Sequence, residues 1–149
     1  MLVSIAILNY NYGRFVAQAI ESALAQRGAD VEVVVVDNGS TDHSLEAIAP
    51  YADRVRLVRQ QTNIGQGQGY NLAFEASRGE WIVWLDADDT LDPDAMATCM
   101  AMADATTAKV QYPLRLIDAQ GQPLGATVPY LSHQGDVRPI IRRFGHYAG

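Results

Sequence analysis

Residues 2–8 form a short and almost wholly apolar run. Such a run, without polar alternation, predicts a strand buried on both faces of a parallel sheet. After the loop Asn9-Tyr10-Asn11-Tyr12-Gly13, the apolar residues Phe15, Val16, Ala19, Ile20, Ala23 and Leu24 recur at helical spacing, and Gly28 supplies a stop. Residues 31–36 give a second, β-branched buried run that breaks at Asp37-Asn38-Gly39-Ser40-Thr41-Asp42. Ser40 or Thr41 is expected to cap the next helix, in which Leu45, Ile48 and Ala49 face the sheet until Pro50 and Tyr51 close it. Residues 55–58 predict a third strand, 65–76 a helix loosened by glycine, and 81–85 a fourth strand. Asp92-Pro93 predicts an N-cap followed by proline at the first helical position, opening a helix to residue 103.

This β-α-β-α order predicts an α/β fold: a mostly parallel, doubly wound sheet with helices on both faces and right-handed crossovers. Beyond residue 105 the pattern weakens. Residues 109–117 and 124–128 read as a strand pair about a polar turn, followed by a short helix over 137–144.

The length of 149 residues accommodates one compact domain with a sizeable core. With 48% hydrophobic and 19% charged residues, the composition is that of a globular chain and argues against disorder. A net charge of −6 disfavours a nucleic-acid polymer as partner, because that binding relies on Lys and Arg to neutralise phosphates. An acidic chain that holds an anionic nucleotide needs local cations or a divalent metal. The single cysteine, Cys99, excludes an internal disulfide and a Cys-rich zinc module, and its apolar surroundings predict a buried helical thiol. The apolar N-terminus lacks a basic leader, and no stretch is long enough to span a bilayer. A cytoplasmic location is therefore expected, with peripheral attachment at the inner face of the membrane left open.

Ligands of an open parallel sheet bind at the carboxyl ends of its strands. The polar clusters fall there: Asn9 and Tyr10 after the first strand, residues 37–42 after the second, Asn63 and Gly65 after the third, and Asp86-Ala87-Asp88-Asp89 after the fourth. Three carboxylates within four residues repel one another unless a cation intervenes. A hard, oxygen-ligated ion such as Mn²⁺ or Mg²⁺ that also bridges phosphates meets that need. The plainer alternatives are a solvated acidic turn at 86–89, a core lid at Tyr10 and an Asx-type turn at Asp37. Gly65-Gln66-Gly67-Gln68-Gly69 lacks both the dinucleotide-binding spacing and the lysine of a phosphate-binding loop, so close helix packing explains it at least as well.

The segments 3–11, 33–42, Asn63-Ile64-Gly65 with Asn71, and Trp84-Leu85-Asp86-Ala87-Asp88-Asp89 resemble, in order and spacing, the family 2 glycosyltransferases. The resemblance covers residues 3–100 and implies the GT-A fold, a Rossmann-like architecture. It implies that Asn9 and Tyr10 line a base pocket and that Asp37 accepts hydrogen bonds from the base. Asp86 would hold the ribose or donor sugar and approach the metal, Asp88 would ligate it, and Asn63 and Gly65 would shape the loop beneath the donor. Asp89 would stand behind these ligands or on the acceptor side.

The implied partner is a nucleotide-diphospho-sugar, with a UDP-sugar favoured. The acceptor would be a saccharide, lipid-linked or other hydroxyl compound. The implied reaction is a divalent-metal-dependent transfer with inversion, its catalytic base well downstream of the Asp-x-Asp motif. The base is expected beyond Gly149, so the chain is read as an incomplete GT-A domain. Residues 1–104 would form the nucleotide-sugar-binding half and 105–149 the start of the acceptor-side half. Two positions depart from the family pattern: Tyr70 stands where many relatives have arginine, and Leu8 replaces the usual proline. Two other readings remain: a non-catalytic nucleotide-binding module, and a haloacid-dehalogenase-type phosphatase using Asp86-Ala87-Asp88-Asp89-Thr90.

Overall fold

The computed structural model describes residues 1–128. The helix predicted over 137–144 lies outside the described residues. The chain divides into two compact units, Met1–Ala101 and Met102–Gly149.

The first unit is built on four strands: β1 (Leu2–Asn9), β2 (Asp30–Asn38), β3 (Arg56–Gln60) and β4 (Trp81–Asp86). They form one parallel sheet in the order β3-β2-β1-β4. The two inner strands are the valine- and isoleucine-rich runs. Val3, Ile5, Ala6 and Ile7 of β1 and Val34, Val35 and Val36 of β2 are fully buried, as two-sided coverage of a parallel sheet requires. Each such valine or isoleucine contributes roughly 1.5–3 kcal/mol of burial.

The helices are α1 (Val16–Leu24), α2 (Ser44–Ile48), α3 (Gln66–Ala76) and α4 (Ala95–Ala101), with a 3₁₀ turn at Ala49–Tyr51. The chain steps from β1 to β2 to β3 in one direction, then returns past β1 to β4. Right-handed crossovers therefore put α1 and α2 on one face and α3 on the other. On the α3 face, Ala73 packs with Ala6 and Val36, and Leu8, Val58, Leu72 and Ile82 surround them. The strand order reverses beside β1, and in open sheets of this kind the carboxyl ends of the strands beside such a reversal are where ligands bind.

Several local expectations need correction. Neither Ser40 nor Thr41 caps α2, whose N-cap position is His43. The Ser40 hydroxyl is engaged instead by Asn9 Nδ2 and the Asn11 N–H, and Asp42 Oδ1 accepts from the Ser44 N–H. Helix α4 starts at Ala95 and stops at Ala101. The carbonyls of Asp92 and Pro93 are engaged by Gln26 Nε2 and the Arg27 N–H, in the turn that follows α1. Strand β2 runs two residues further than its apolar run, because Asp37 and Asn38 continue the ladder to Asn9 and Gln60. Cys99 is buried on α4 as expected, and burial pushes its thiol up from the ordinary value.

In the second unit, β5 (Leu114–Ile117) and β6 (Pro123–Val128) form an antiparallel pair. Strand β5 is shorter than the expected 109–117. The intervening turn is closed by Asp118, whose carboxylate accepts from the Gln120 and Gln122 N–H groups. That acid is structural.

Candidate functional site

Three polar side chains lie at or within one residue of the carboxyl ends of three adjacent strands. Asn9 is the ladder partner of Asp37, and Leu8, one residue before Asn9, is the partner of Asp86. The sheet itself thus lines up the first, second and fourth clusters, as expected for a switch-point site.

Asn9 is fully buried and donates from Nδ2 to Asp37 Oδ1 at 2.9 Å and to Ser40 Oγ at 3.1 Å. Asp37 Oδ2 accepts the Ser40 N–H at 3.3 Å, and the residue is 1% exposed. Asp37 is therefore both the start of a tight turn and a carboxylate oriented by Asn9. Each of its oxygens accepts one bond and retains a second acceptor site. Asn9 Oδ1 is buried without a hydrogen-bond partner among the described residues.

Beside this pair, Tyr10 is 40% exposed, so it is not a lid sealed over the core. Its setting depends on Asn11, a residue that sequence reasoning passed over. Asn11 holds a φ of 59°, a left-handed conformation that asparagine tolerates better than most residues. Its Oδ1 accepts the Thr41 N–H at 2.7 Å and the Asp42 N–H at 3.3 Å. The loop carrying Tyr10 is thereby tied to the loop after β2. An asparagine followed by an aromatic and glycine was a signal for such a turn.

At the end of β2, Asn38 Nδ2 donates to Asn63 Oδ1 at 3.2 Å and to the Gly65 carbonyl at 3.3 Å, while its Oδ1 accepts the Ile64 N–H at 3.1 Å. Asn63 in turn accepts the Gly65 N–H at 2.8 Å. Asn63 and Gly65 thus form a loop clamped beneath β2, and Asn38 is the clamp. Gly65 sits at φ 86° ahead of α3. Further along, a Cβ on Gly69 would lie 2.6 Å from a Leu8 methyl, whereas one on Gly65 or Gly67 would meet nothing within 4 Å. Gly69 therefore serves close packing of α3 on β1, and Leu8 is the residue it packs against.

At the end of β4, Ala87 is buried while Asp86 and Asp88 are exposed on either side of it. The Asp89 N–H returns to the Asp86 carbonyl at 3.0 Å, closing a tight turn. Asp89 is half-buried, and its carboxyl is pushed up from the ordinary value by burial and then by the charges of Asp88 and Asp86. The repulsion foreseen from the sequence is therefore present at Asp89. The donor set is all oxygen, which suits a hard divalent ion. Among the described residues no three His, Cys, Asp or Glu side chains gather as a complete ligand set. An ion held by Asp86 and Asp88 would have to take further oxygens from ligand or water.

Tyr70 also reaches this edge: its hydroxyl donates to Asp86 Oδ1 at 3.2 Å. The sequence marked this residue only as an arginine replaced.

Comparison with known proteins fixes the family. The model for "Glycosyl transferase family 2" matches residues 4–126. The chain belongs to this family. As a family 2 glycosyltransferase sequence it is 36% identical to an uncharacterized glycosyltransferase of Nostoc sp., over 98% of this chain and 47% of that protein. It spans less than half the length of that relative, and 31% of a succinoglycan biosynthesis protein, ExoO, from Rhizobium meliloti. The structure of S. aureus TarS 1–349 in complex with UDP-GlcNAc aligns with a TM-score of 0.62 at 27% identity, covering 68% of this chain and 30% of that one. The mannosyltransferase PcManGT from Pyrobaculum calidifontis, in complex with GDP-Man and Mn²⁺, aligns with a TM-score of 0.64 at 27% identity, covering 70% and 33%. The GT-A architecture expected from the sequence is the one observed, and family membership sets aside the phosphatase reading. No helix among the described residues is long and apolar enough to cross a membrane.

Proposed function

We propose that residues 1–104 bind a nucleotide-diphospho-sugar, with UDP as the nucleotide, for an inverting, divalent-metal-dependent sugar transfer. The observation that carries this reading is the row of Asn9, Asp37 and Asp86 on adjacent parallel strands beside the point where strand order reverses. The exposed Tyr10 ring stacks on the base, and the buried Asn9–Asp37 pair presents oriented acceptors to its N–H edge. The Asn38-clamped loop of Asn63 and Gly65 supports the donor. Asp86 and Asp88 face the ribose, sugar and diphosphate.

Mn²⁺ or Mg²⁺ fits the exposed oxygen donors of Asp88 and Asp86, and when bound would act as a Lewis acid offsetting charge on the departing diphosphate. The chain's own contribution is orientation: it fixes base, ribose and diphosphate so that the face of the anomeric carbon opposite the leaving group is open to an acceptor hydroxyl. No carboxylate of this chain is assigned as the base that takes the acceptor proton. The relatives with UDP-GlcNAc and with GDP-Man and Mn²⁺ support the donor class.

The test is calorimetric titration with UDP and with GDP, each with and without Mn²⁺, on the unsubstituted chain and on Asp88→Ala. UDP should bind more tightly with Mn²⁺, and Asp88→Ala should remove that increment. Binding that ignores both the metal and the substitution would rule the assignment out.

A further inference from the structure

Tyr70 lies in the second turn of α3, next to the carboxyl end of β4. Its hydroxyl is used twice: it donates to Asp86 Oδ1 at 3.2 Å and accepts from Gln66 Nε2 at 3.3 Å. Gln66 and Tyr70 are four residues apart, so they share one face of the helix. The ring packs edge-on against Trp84, two residues before Asp86, with centroids 5.0 Å apart and planes at 64°. Close approach of α3 to β1 at Gly69, the preceding residue, sets the helix at the distance these contacts need. The phenol is thus fixed at its ring and at its oxygen.

The geometry points to Tyr70 as a positioning residue for the donor site, an inference that rests on the nucleotide-sugar reading above. Its hydroxyl pins one oxygen of Asp86 and turns the other, Oδ2, to the ligand. Oδ2 carries no hydrogen bond among the described residues. An exposed aspartate that is otherwise free to rotate must be ordered when ligand binds, and ordering it beforehand removes that cost from the binding step. Tyrosine does this without adding charge. An arginine in the same place would neutralise Asp86, whereas the neutral phenol leaves the full negative charge of Asp86 and Asp88 available to a cation. The residue that departs from the family pattern therefore supports a site that depends more heavily on metal than on a protein cation.

A role confined to tying α3 to β4 makes a different prediction, which a double-mutant cycle separates. UDP binding with Mn²⁺ is measured for the unsubstituted chain, Tyr70→Phe, Asp86→Ala and the double variant, with UDP carried to millimolar concentration for the weaker binders. Melting temperatures are recorded for all four. Tyr70→Phe keeps the ring against Trp84 and removes only the hydroxyl. It should melt with the unsubstituted chain, bind UDP about three- to tenfold more weakly, and add nothing to the loss caused by Asp86→Ala. Unaltered affinity in Tyr70→Phe, or an equal loss in both backgrounds, overturns the positioning role while leaving the nucleotide reading intact. Failure of the unsubstituted chain to bind UDP removes that reading and this inference together.

Discussion

At the amino ends of the strands, remote from the proposed site, one carboxylate joins three elements, and its removal offers a clean test of how the sheet is held. Ser4 of β1 is the ladder partner of Glu32 of β2. The Ser4 hydroxyl donates to Glu32 Oε1 at 2.6 Å and accepts the Gly79 N–H at 2.8 Å. Arg78, in the turn before β4, adds its own N–H to Oε1, its Nε to Oε2 at 2.9 Å and its terminal nitrogen to Oε2 at 2.8 Å. The Glu32 side chain is 10% exposed and that of Arg78 is 66% exposed. Burial alone would raise the Glu32 carboxyl. The bonds from Ser4 and Arg78, together with the Arg78 charge, outweigh it and hold the group below its usual value of 4.5. Glu32→Ala leaves the buried Ser4 hydroxyl without its acceptor and the Arg78 N–H without a carboxylate. Hydrogen bonds to a charged group contribute about 1.5–3 kcal/mol, and the outer guanidinium contact is discounted for its exposure, so the expected loss is about 2 kcal/mol at neutral pH. Because the folded-state value is depressed, this stability is fully present above the unfolded value and is lost as pH falls through the folded one. Urea denaturation at pH 7 and in steps down to about pH 3 should show the gap to the unsubstituted chain narrowing below 4.5. UDP affinity should not change. A gap that stays constant down to the acid end, or no gap at pH 7, would refute the claim that an ionised Glu32 fastens these strands.

Gly39 sits at φ 75°, and a Cβ there would lie 2.4 Å from the Thr62 carbonyl carbon and 2.6 Å from the Asn63 nitrogen. Gly39→Ala should cost about 1–3 kcal/mol from the backbone conformation, with the clash added to it, read as a lowered thermal midpoint. Asn11→Ala removes the acceptor of the Thr41 and Asp42 N–H groups and places alanine at φ 59°. It should weaken UDP binding by loosening the Tyr10 loop, and Asn11→Gly should recover only the part due to backbone conformation. A full recovery by glycine would show that the hydrogen bonds contribute nothing. Tyr10→Ala should leave the melting temperature unchanged, since the ring is already exposed, and reduce UDP affinity about three- to tenfold, while Tyr10→Phe retains most of it. Equal losses for the two substitutions would exclude stacking.

The sheet was legible because its inner strands are apolar on both faces, a pattern that only a parallel sheet covered on both sides accommodates. Helix starts were less legible. Ser40 and Thr41 have the right chemistry for a cap, yet Ser40 is taken by Asn9 and Asn11, 31 and 29 residues earlier in the chain. Asp92-Pro93 has the right order for a helix start, yet its carbonyls answer to Gln26 and Arg27, just past the end of α1. In both cases a tertiary hydrogen bond overrode a local propensity, and no reading of neighbours in sequence reports such a bond. Glu32 was hidden for a related reason: it stands within the valine-rich second strand, and only the register with Ser4 shows why a charge is tolerated there.

The same distinction runs through the site. Residues singled out by position, such as Asp37 and Asp86 at or next to strand ends, were legible because the fold delivers them to one edge whatever their side chains do. Residues whose role follows from a partner, such as Asn11, Asn38 and Tyr70, were missed or noted only as departures. Each of the three orients a residue that the sequence did single out: Asn11 sets the loop of Tyr10, Asn38 clamps Asn63 and Gly65, and Tyr70 holds Asp86. A site assembled from loops needs such supports, because a donor or acceptor that is free to rotate must be ordered at the cost of affinity. Substitutions at the supports should therefore act on binding through the residues they hold. That dependence, and not the mere presence of acids at a strand end, separates a built nucleotide site from a solvated acidic turn.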